Sequence, residues 1–340
     1  MSVQSAESVQ VAPPPGAPRP HRPGTRVALM VVSKFGTLIA MAIMLAIFGI
    51  AVPGGAFLDG ANLLNILNQS ALTAIIASGL TIVLVVGEFD LSGGYAASLA
   101  GVLVTGMLVK QGAPLPVAVL LTLGVGAGIG SVNGLLVTKA RVNAVVATLG
   151  VGTVLIGLSY GYTSGSPIIA VPKSFTDITL GRFVGVQNPI WFMLVVLAAL
   201  WVLLNRTSLG QRIQAVGANR DAARLAGIRT DRVKVAAFVI AGVCAALTGI
   251  LLASLLGSGT VSAGDGYLLD SFAAVFLGVA TLRDGEFHIV GTLVGVLVVN
   301  TGFNGLSLLG TPTFWQFIFK GGILVLAVAL STVARRYSRA

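Results

Sequence analysis

From Val27 onward the chain repeats one compositional unit, a run of about twenty apolar residues ended by a short joint. Twenty residues at about 1.5 Å each cover the ~30 Å hydrocarbon core of a bilayer. Ten such runs can be read, at about 27–52, 62–86, 91–110, 115–138, 143–163, 188–205, 233–257, 267–282, 288–309 and 313–333. Pro and Gly mark the joints: Pro53-Gly54-Gly55, Gly112 to Pro116, Pro167 to Pro172, and Thr311-Pro312. Only 9% of the 340 residues are charged and 55% are hydrophobic, whereas an ordinary globular chain carries about 25% charged residues. The 44 glycines agree with a membrane setting, where Gly is common inside helices. A water-soluble enzyme is excluded. The expected fold is an all-α polytopic membrane protein with about ten transmembrane helices.

The basic residues orient it. With the N-terminus inside, seventeen of the 21 Lys and Arg fall on the inner side. They are Arg19, Arg22, Arg26 and Lys34, then Lys139 and Arg141, then seven from Arg206 to Lys234, then Arg283, and finally Arg335, Arg336 and Arg339. The outer side holds Lys110, Lys173 and Arg182, and Lys320 lies within the last run. This satisfies the positive-inside rule with both termini cytoplasmic. The net charge of +10 is therefore an orientation signal rather than a nucleic-acid footprint. Residues 1–26, proline-rich and with no apolar periodicity, read as a disordered cytoplasmic tail. That tail is too long and too rich in proline to lead a good cleavable signal peptide. The membrane domain then covers 27–335, with a cytoplasmic loop at 206–232 and a short tail at 336–340.

Several chemistries are missing. The single cysteine, Cys244, sits in an apolar run and reads as a packing residue. His21 and His288 with one Cys cannot build a His/Cys zinc site. No G-x-x-x-x-G-K-[ST] run exists to cradle nucleotide phosphates, so any ATP must be used by another chain. Ion-coupled carriers place ionisable residues deep in their spans. Here Glu88, Asp90, Asp265, Asp270, Asp284 and Glu286 sit near the ends, and Lys320 is expected to snorkel outward. Asp284, Glu286 and His288 share one inner joint and read as an interfacial turn rather than a catalytic trio.

Small residues recur at helical spacing in the fourth run, as Gly124/Gly128 and as Gly126/Gly130/Gly134, faces that let helices approach closely. Uncharged polar residues remain as candidates for a solute path: Asn62, Asn65, Asn68 and Gln69 open the second run, and Asn133, Thr148, Asn300 and Asn304 lie in or near others. An amide in lipid needs a partner, and hydrogen bonds between helices and contacts to a polyhydroxylated solute both meet that need.

The loop from Asn205 to Asp231 carries the densest charge. Its centre, Asn219-Arg220-Asp221-Ala222-Ala223-Arg224-Leu225-Ala226-Gly227, reads as a short helix with Asn219 as N-cap, Asp221 at the positive end and Gly227 at C′. A helix this short is marginal alone in water. Ala222, Ala223, Leu225 and Ala226 are expected to form one apolar face that docks into a partner's groove.

Asp221-Ala222-Ala223 with Gly227 resembles the E-A-A---G cytoplasmic motif of ABC-importer permease subunits, with Asp for Glu. Gly87-Glu88-Phe89-Asp90-Leu91-Ser92-Gly93-Gly94 resembles the G-G-I-D-L-S-V-G segment of the ribose-type sugar permeases. Asn133-Gly134-Leu135-Leu136-Val137, Ala147-Thr148-Leu149-Gly150, Ser208-Leu209-Gly210, Ala215 to Arg220, Gly266-Tyr267 with Asp270, and Gly291 to Gly295 follow in family order. The resemblance covers about 60–335. It implies the ten-helix type II permease fold in a bacterial plasma membrane, and a second permease copy or a sister permease to complete the path. It also implies cytoplasmic ATPase subunits, which use ATP and magnesium and grip Asn219, Arg220, Asp221, Ala222, Ala223, Arg224 and Gly227. An extracytoplasmic solute-binding protein would deliver a pentose, hexose or related sugar. No cofactor is expected on this chain. The path would draw on Asn65, Asn68, Phe89, Asp90, Ser92, Asn133, Thr148, Asn300 and Asn304. A nucleoside or another polar solute on the same architecture, and a stand-alone secondary carrier, are the alternatives.

Three departures from the resembled pattern stand out. Glu88 replaces a common Gly, Leu268 stands where many relatives carry an acid, and Leu282 to His288 lacks the usual glycine-rich basic run.

Overall fold

The computed structural model describes residues 23–279 and 285–338, with side chains over 36–279 and 285–326. The expected disordered tail therefore lies outside the described residues except for Pro23–Arg26, which open the first helix. In chain order the helices are α1 (Pro23–Ala51), α2 (Gly60–Val85), α3 (Gly93–Val109), α4 (Leu115–Thr138), α5 (Ala144–Thr163), α6 (Lys173–Leu180) and α7 (Asn188–Arg206). They continue as α8 (Ser208–Ala218), α9 (Arg220–Leu225), α10 (Thr230–Leu256), α11 (Asp265–Val279), α12 (Ile289–Leu308) and α13 (Thr313–Ser338). Strands β1 (Arg182–Phe183) and β2 (Val186–Gln187) form one small antiparallel hairpin between α6 and α7. Ten of these helices occupy the ten apolar runs. Among the described residues six of them, α2, α4, α5, α7, α10 and α12, are long and apolar enough to cross a membrane. Gly36–Ala51 of α1, all of α3, and Thr313–Leu326 of α13 are shorter apolar stretches.

The core is built on α2 and α10. Every residue of α2 from Ser70 to Leu84 is buried, so it has no polar face, the mark of a helix enclosed on all sides. Around α2 stand α7, α10, α11 and α12, while α10 also packs against α3 and α4. Glycine decides how closely α4 and α10 cross. A Cβ on Gly126 would strike the Gly242 carbonyl oxygen and Ala246, and one on Gly130 would strike the Phe238 carbonyl. Gly134 likewise faces Val235. The companion row behaves differently, because Gly124 and Gly128 have nothing within 4 Å. Only the 126/130/134 row packs within the subunit.

Apolar side chains cover the outside. Leu120, Leu121 and Val125 on α4, Val146, Val154 and Leu158 on α5, and Leu194, Val195 and Val202 on α7 are exposed, a surface suited to hydrocarbon and not to water.

Lys320 reaches the start of α11, where it donates to Gly266 O at 3.3 Å. Its Nζ lies 2.6 Å from Asp270 Oδ1, tying α13 to α11, with both side chains about 85% covered.

Candidate functional site

Two places gather the polar residues: the junction between α2 and α3, and the helical hairpin between α7 and α10. At the junction, Gly87 ends α2 at φ 88°. Its N–H donates to Leu84 O at 3.1 Å and the Glu88 N–H to Val83 O at 3.0 Å, a Schellman closure that needs the left-handed conformation glycine adopts without strain. Asp90 then turns back. Its Oδ1 accepts from the Ser92 N–H at 2.8 Å and from Ser92 Oγ at 2.6 Å, which places a carboxylate against the positive end of α3.

Two helices remote in sequence hold this turn. Asn133 of α4 donates Nδ2 to Ser92 Oγ at 2.8 Å. Thr148 of α5 accepts from the Leu91 N–H at 3.0 Å and donates to Ala144 O at 2.8 Å. Asp90, Ser92, Asn133 and Thr148 are all buried. Of the nine path candidates, these four converge on one spot. Phe89 adjoins them, stacking on Phe272 of α11 at 6.4 Å between centroids, and Phe276 continues the stack at 6.2 Å.

Next to the turn is a cavity of about 20 Å³, lined by Ile76, Leu80, Asp90, Gly93, Gly94, Ala241, Leu268 and Ser271. That is room for about one water. Ser271 Oγ is buried there without a hydrogen-bond partner in the described chain, and so is Asn133 Oδ1 nearby in the sequence of contacts. The lining is mixed, with Asp90 and Ser271 polar and Ile76, Leu80, Ala241 and Leu268 apolar.

The other candidates lie elsewhere. Asn304 exchanges two 2.9 Å amide hydrogen bonds with Asn62, joining α12 to the start of α2. Asn300 donates to Val296 O on its own helix at 3.0 Å. Asn65 is exposed, and Asn68 Oδ1 is buried without a partner in the described chain. Part of the amide set thus serves helix pairing.

The 206–232 loop is two helices where the sequence suggested one. Thr207 caps α8, accepting from the Gly210 N–H at 3.1 Å, and Ile213 and Val216 turn into the main core. The capping Thr and the three-residue spacing of Ile213 and Val216 were the available signals; the surrounding charge hid them. Asn219 caps α9 by accepting from the Ala222 N–H at 3.0 Å. Gly227, at φ 81°, closes it, with its own N–H on Arg224 O and the Ile228 N–H on Ala223 O, both at 3.0 Å. The expected single apolar face is split. Ala223 is buried against the body, whereas Ala222, Leu225 and Ala226 are exposed, Leu225 at 90%. Successive residues of a six-residue helix point about 100° apart, so Ala223 and its neighbours cannot all face one way.

This hairpin touches the junction. A Cβ on Gly217 of α8 would collide with the Val85 carbonyl at the end of α2. Arg220 of α9 pairs with Asp231 in the first turn of α10 at 3.6 Å. Lys234, one turn further along α10, pairs with Glu88 in the junction. Neither ion pair was legible in the sequence. Of the 282–288 loop, 282–284 lie outside the described residues, and His288 caps α12 through Nδ1 on the Gly291 N–H at 2.9 Å.

The described residues thus form a bundle of apolar helices with a capped helical pair, α8 and α9, between α7 and α10, and the comparisons with known proteins give its class, a transport-system component. Residues 62–328 match the family described as branched-chain amino acid transport system / permease component, and the chain belongs to that family. It is 41% identical to the ribose import permease protein RbsC of Bacillus subtilis (strain 168), over 88% of this chain and 93% of that protein. It is 39% identical to RbsC of Escherichia coli (strain K12), over 86% and 91%. The L-arabinose ABC transporter permease protein AraH of Azospirillum brasilense is 32% identical over 91% of each chain. No solved structure matches this chain.

Proposed function

We propose that this chain is the membrane-spanning permease subunit of an ATP-driven importer for a monosaccharide of the pentose or hexose class. The observation that carries the reading is near full-length identity to permeases named for ribose and arabinose. The chain has about ten transmembrane helices with both termini cytoplasmic, in the plasma membrane of a bacterium. It pairs with a second copy or a sister permease, receives sugar from an extracytoplasmic binding protein, and is driven by ATPase subunits that hydrolyse ATP with magnesium.

The α8–α9 hairpin is the docking element for the ATPase. Its capped α9 presents Leu225 and Ala222 outward while Ala223 anchors it inward, so an apolar knob is offered on a rigid base. The path runs beside Phe89, Asp90, Ser92, Asn133 and Thr148, and Asn65, Asn68, Asn300 and Asn304 contribute polar positions along its length. Carboxylate, hydroxyl and amide groups are the partners that sugar hydroxyls need, and the Phe89–Phe272 stack gives a flat apolar surface for a sugar ring's C–H face.

Purification of the tagged chain in mild detergent from its native membrane tests the reading. An ATPase subunit should copurify in stoichiometric amount, and the complex with its binding protein should accumulate radiolabelled ribose, xylose or arabinose in liposomes only when ATP is enclosed. A chain that purifies alone and carries sugar without ATP refutes the importer reading.

A further inference from the structure

Glu88 and Lys234 form an ion pair whose side chains are only 16% and 7% exposed. Taking two charges out of water is costly, and a buried pair is weak evidence of a device for stability. The backbone does not ask for a carboxylate at this position. Glu88 follows Gly87 in the Schellman closure, and its part there is an N–H donated to Val83 O at 3.0 Å, which any residue except proline supplies. The side chain therefore calls for a separate account.

Its position supplies one. Glu88 stands two residues before Asp90, in the turn held by Ser92, Asn133 and Thr148. Lys234 stands one helical turn after Asp231, and Asp231 holds Arg220 of α9 at 3.6 Å. A single turn of α10 thus meets the exposed α9 through one largely solvent-exposed charge pair and the α2–α3 junction through a buried one. Gly217 of α8 rests on the Val85 carbonyl just upstream. That contact is a single close approach that a small separation breaks, whereas an ion pair in a low-dielectric setting resists extension over a longer range.

We propose that the Glu88–Lys234 pair is the positioning link by which displacement of α9 is passed through the first turn of α10 to the Asp90–Ser92 junction. It keeps the junction in register with α10, so that the junction yields when the inner end of α10 moves and not otherwise. The inference rests on the importer reading above.

The experiment uses the complete importer in liposomes, with its binding protein and ribose as the probe, and reads ATP hydrolysed per ribose accumulated. Glu88→Gln with Lys234→Gln removes both charges and leaves none buried alone. Glu88→Lys with Lys234→Glu exchanges them. The neutral double variant should retain wild-type amounts of ATPase subunit and spend about 5-fold or more ATP per ribose, the lower end of ordinary coupling between sites. The exchanged pair should recover most of the wild-type ratio. An unchanged ratio in the neutral variant overturns the proposal, and so does an equal rise in both variants, because then pairing is not what matters. Wild-type complex that neither holds an ATPase nor accumulates sugar refutes the importer reading itself, and the proposal falls with it. With a working wild type, the variants judge the link alone.

Discussion

Thr148→Val is the sharpest probe of the α2–α3 junction. Valine copies the shape of threonine, so no cavity opens, yet the hydroxyl that accepts from the Leu91 N–H at 3.0 Å is lost. The bond from Thr148 Oγ1 to Ala144 O is also lost, but that carbonyl keeps the main-chain bond of α5. The net damage is one backbone N–H left without a partner in a partly buried turn. A lone buried polar group costs about 1–3 kcal/mol, and hydrogen bonds between membrane helices average near ~0.6 kcal/mol when the freed group finds another partner. Asp90 Oδ1, Ser92 and Asn133 Nδ2 are already engaged, and the one open acceptor, Asn133 Oδ1, bonds to nothing as the turn stands, so the higher range applies to the closed turn and reaching that acceptor requires the turn to rearrange. About 1–3 kcal/mol shifts the balance between the closed turn and a rearranged one by about 5- to 150-fold. Thermal unfolding in detergent and initial uptake rate in liposomes are the assays. Thr148→Val should lower both the midpoint and the uptake rate, and Thr148→Ser, which keeps the hydroxyl, should match wild type within experimental error. If valine and serine behave alike, the hydroxyl does not hold the junction and the argument fails.

The two glycine rows of α4 make a paired test: Gly130→Leu forces a side chain into the Phe238 carbonyl and should abolish recovery of folded protein, whereas Gly124→Leu, with open space around it, should be recovered near wild-type yield on size-exclusion chromatography. Asp221→Lys reverses a charge at the favourable end of α9, and Gly227→Val places a β-branched residue at φ 81°. Either should cut ATP-driven uptake by about tenfold while membrane insertion, followed by fractionation, stays intact, and full uptake in both excludes α9 as the coupling helix. With Cys244 replaced by alanine, a cysteine at Leu225 should react with an impermeant maleimide only from the cytoplasmic side and one at Asp177 only from outside. Same-side labelling rejects the ten-span map.

What the sequence makes legible is whatever one stretch of chain decides by itself. The apolar runs at 115–138, 143–163 and 188–205 correspond to α4 (Leu115–Thr138), α5 (Ala144–Thr163) and α7 (Asn188–Arg206) almost to the residue, because length and hydropathy are local properties. The caps of α9 were readable for the same reason, since Asn219 bonds three residues ahead and Gly227 bonds three back. Pairing between distant elements was not. Nothing near Thr148 announces Leu91, and nothing near Gly126 announces Gly242. The two glycine rows of α4 look alike in sequence and differ only in what lies opposite. Ala223 shows the same limit on a smaller scale, since periodicity defines a face without saying which face meets the body.

The buried charges show how such pairings bear on transport. In a bundle with few charges, an isolated one cannot persist inside: Glu88 has Lys234 and Asp270 has Lys320, while the partly buried Asp265 accepts from Ser98 Oγ at 3.0 Å. The two ion pairs join separate helices, so moving one helix without the other leaves two unpaired charges. Asp90 differs. Its carboxylate accepts from two atoms of Ser92, within the same turn, and no cation pairs with it among the described residues. A carboxylate satisfied by its own turn can travel with that turn at little electrostatic cost, while Asn133 and Thr148 mark one end position. The turn that carries Asp90 and Ser92 can therefore shift as a unit, and the ion pair at Glu88 joins that unit to α10, the helix that the proposed coupling would move.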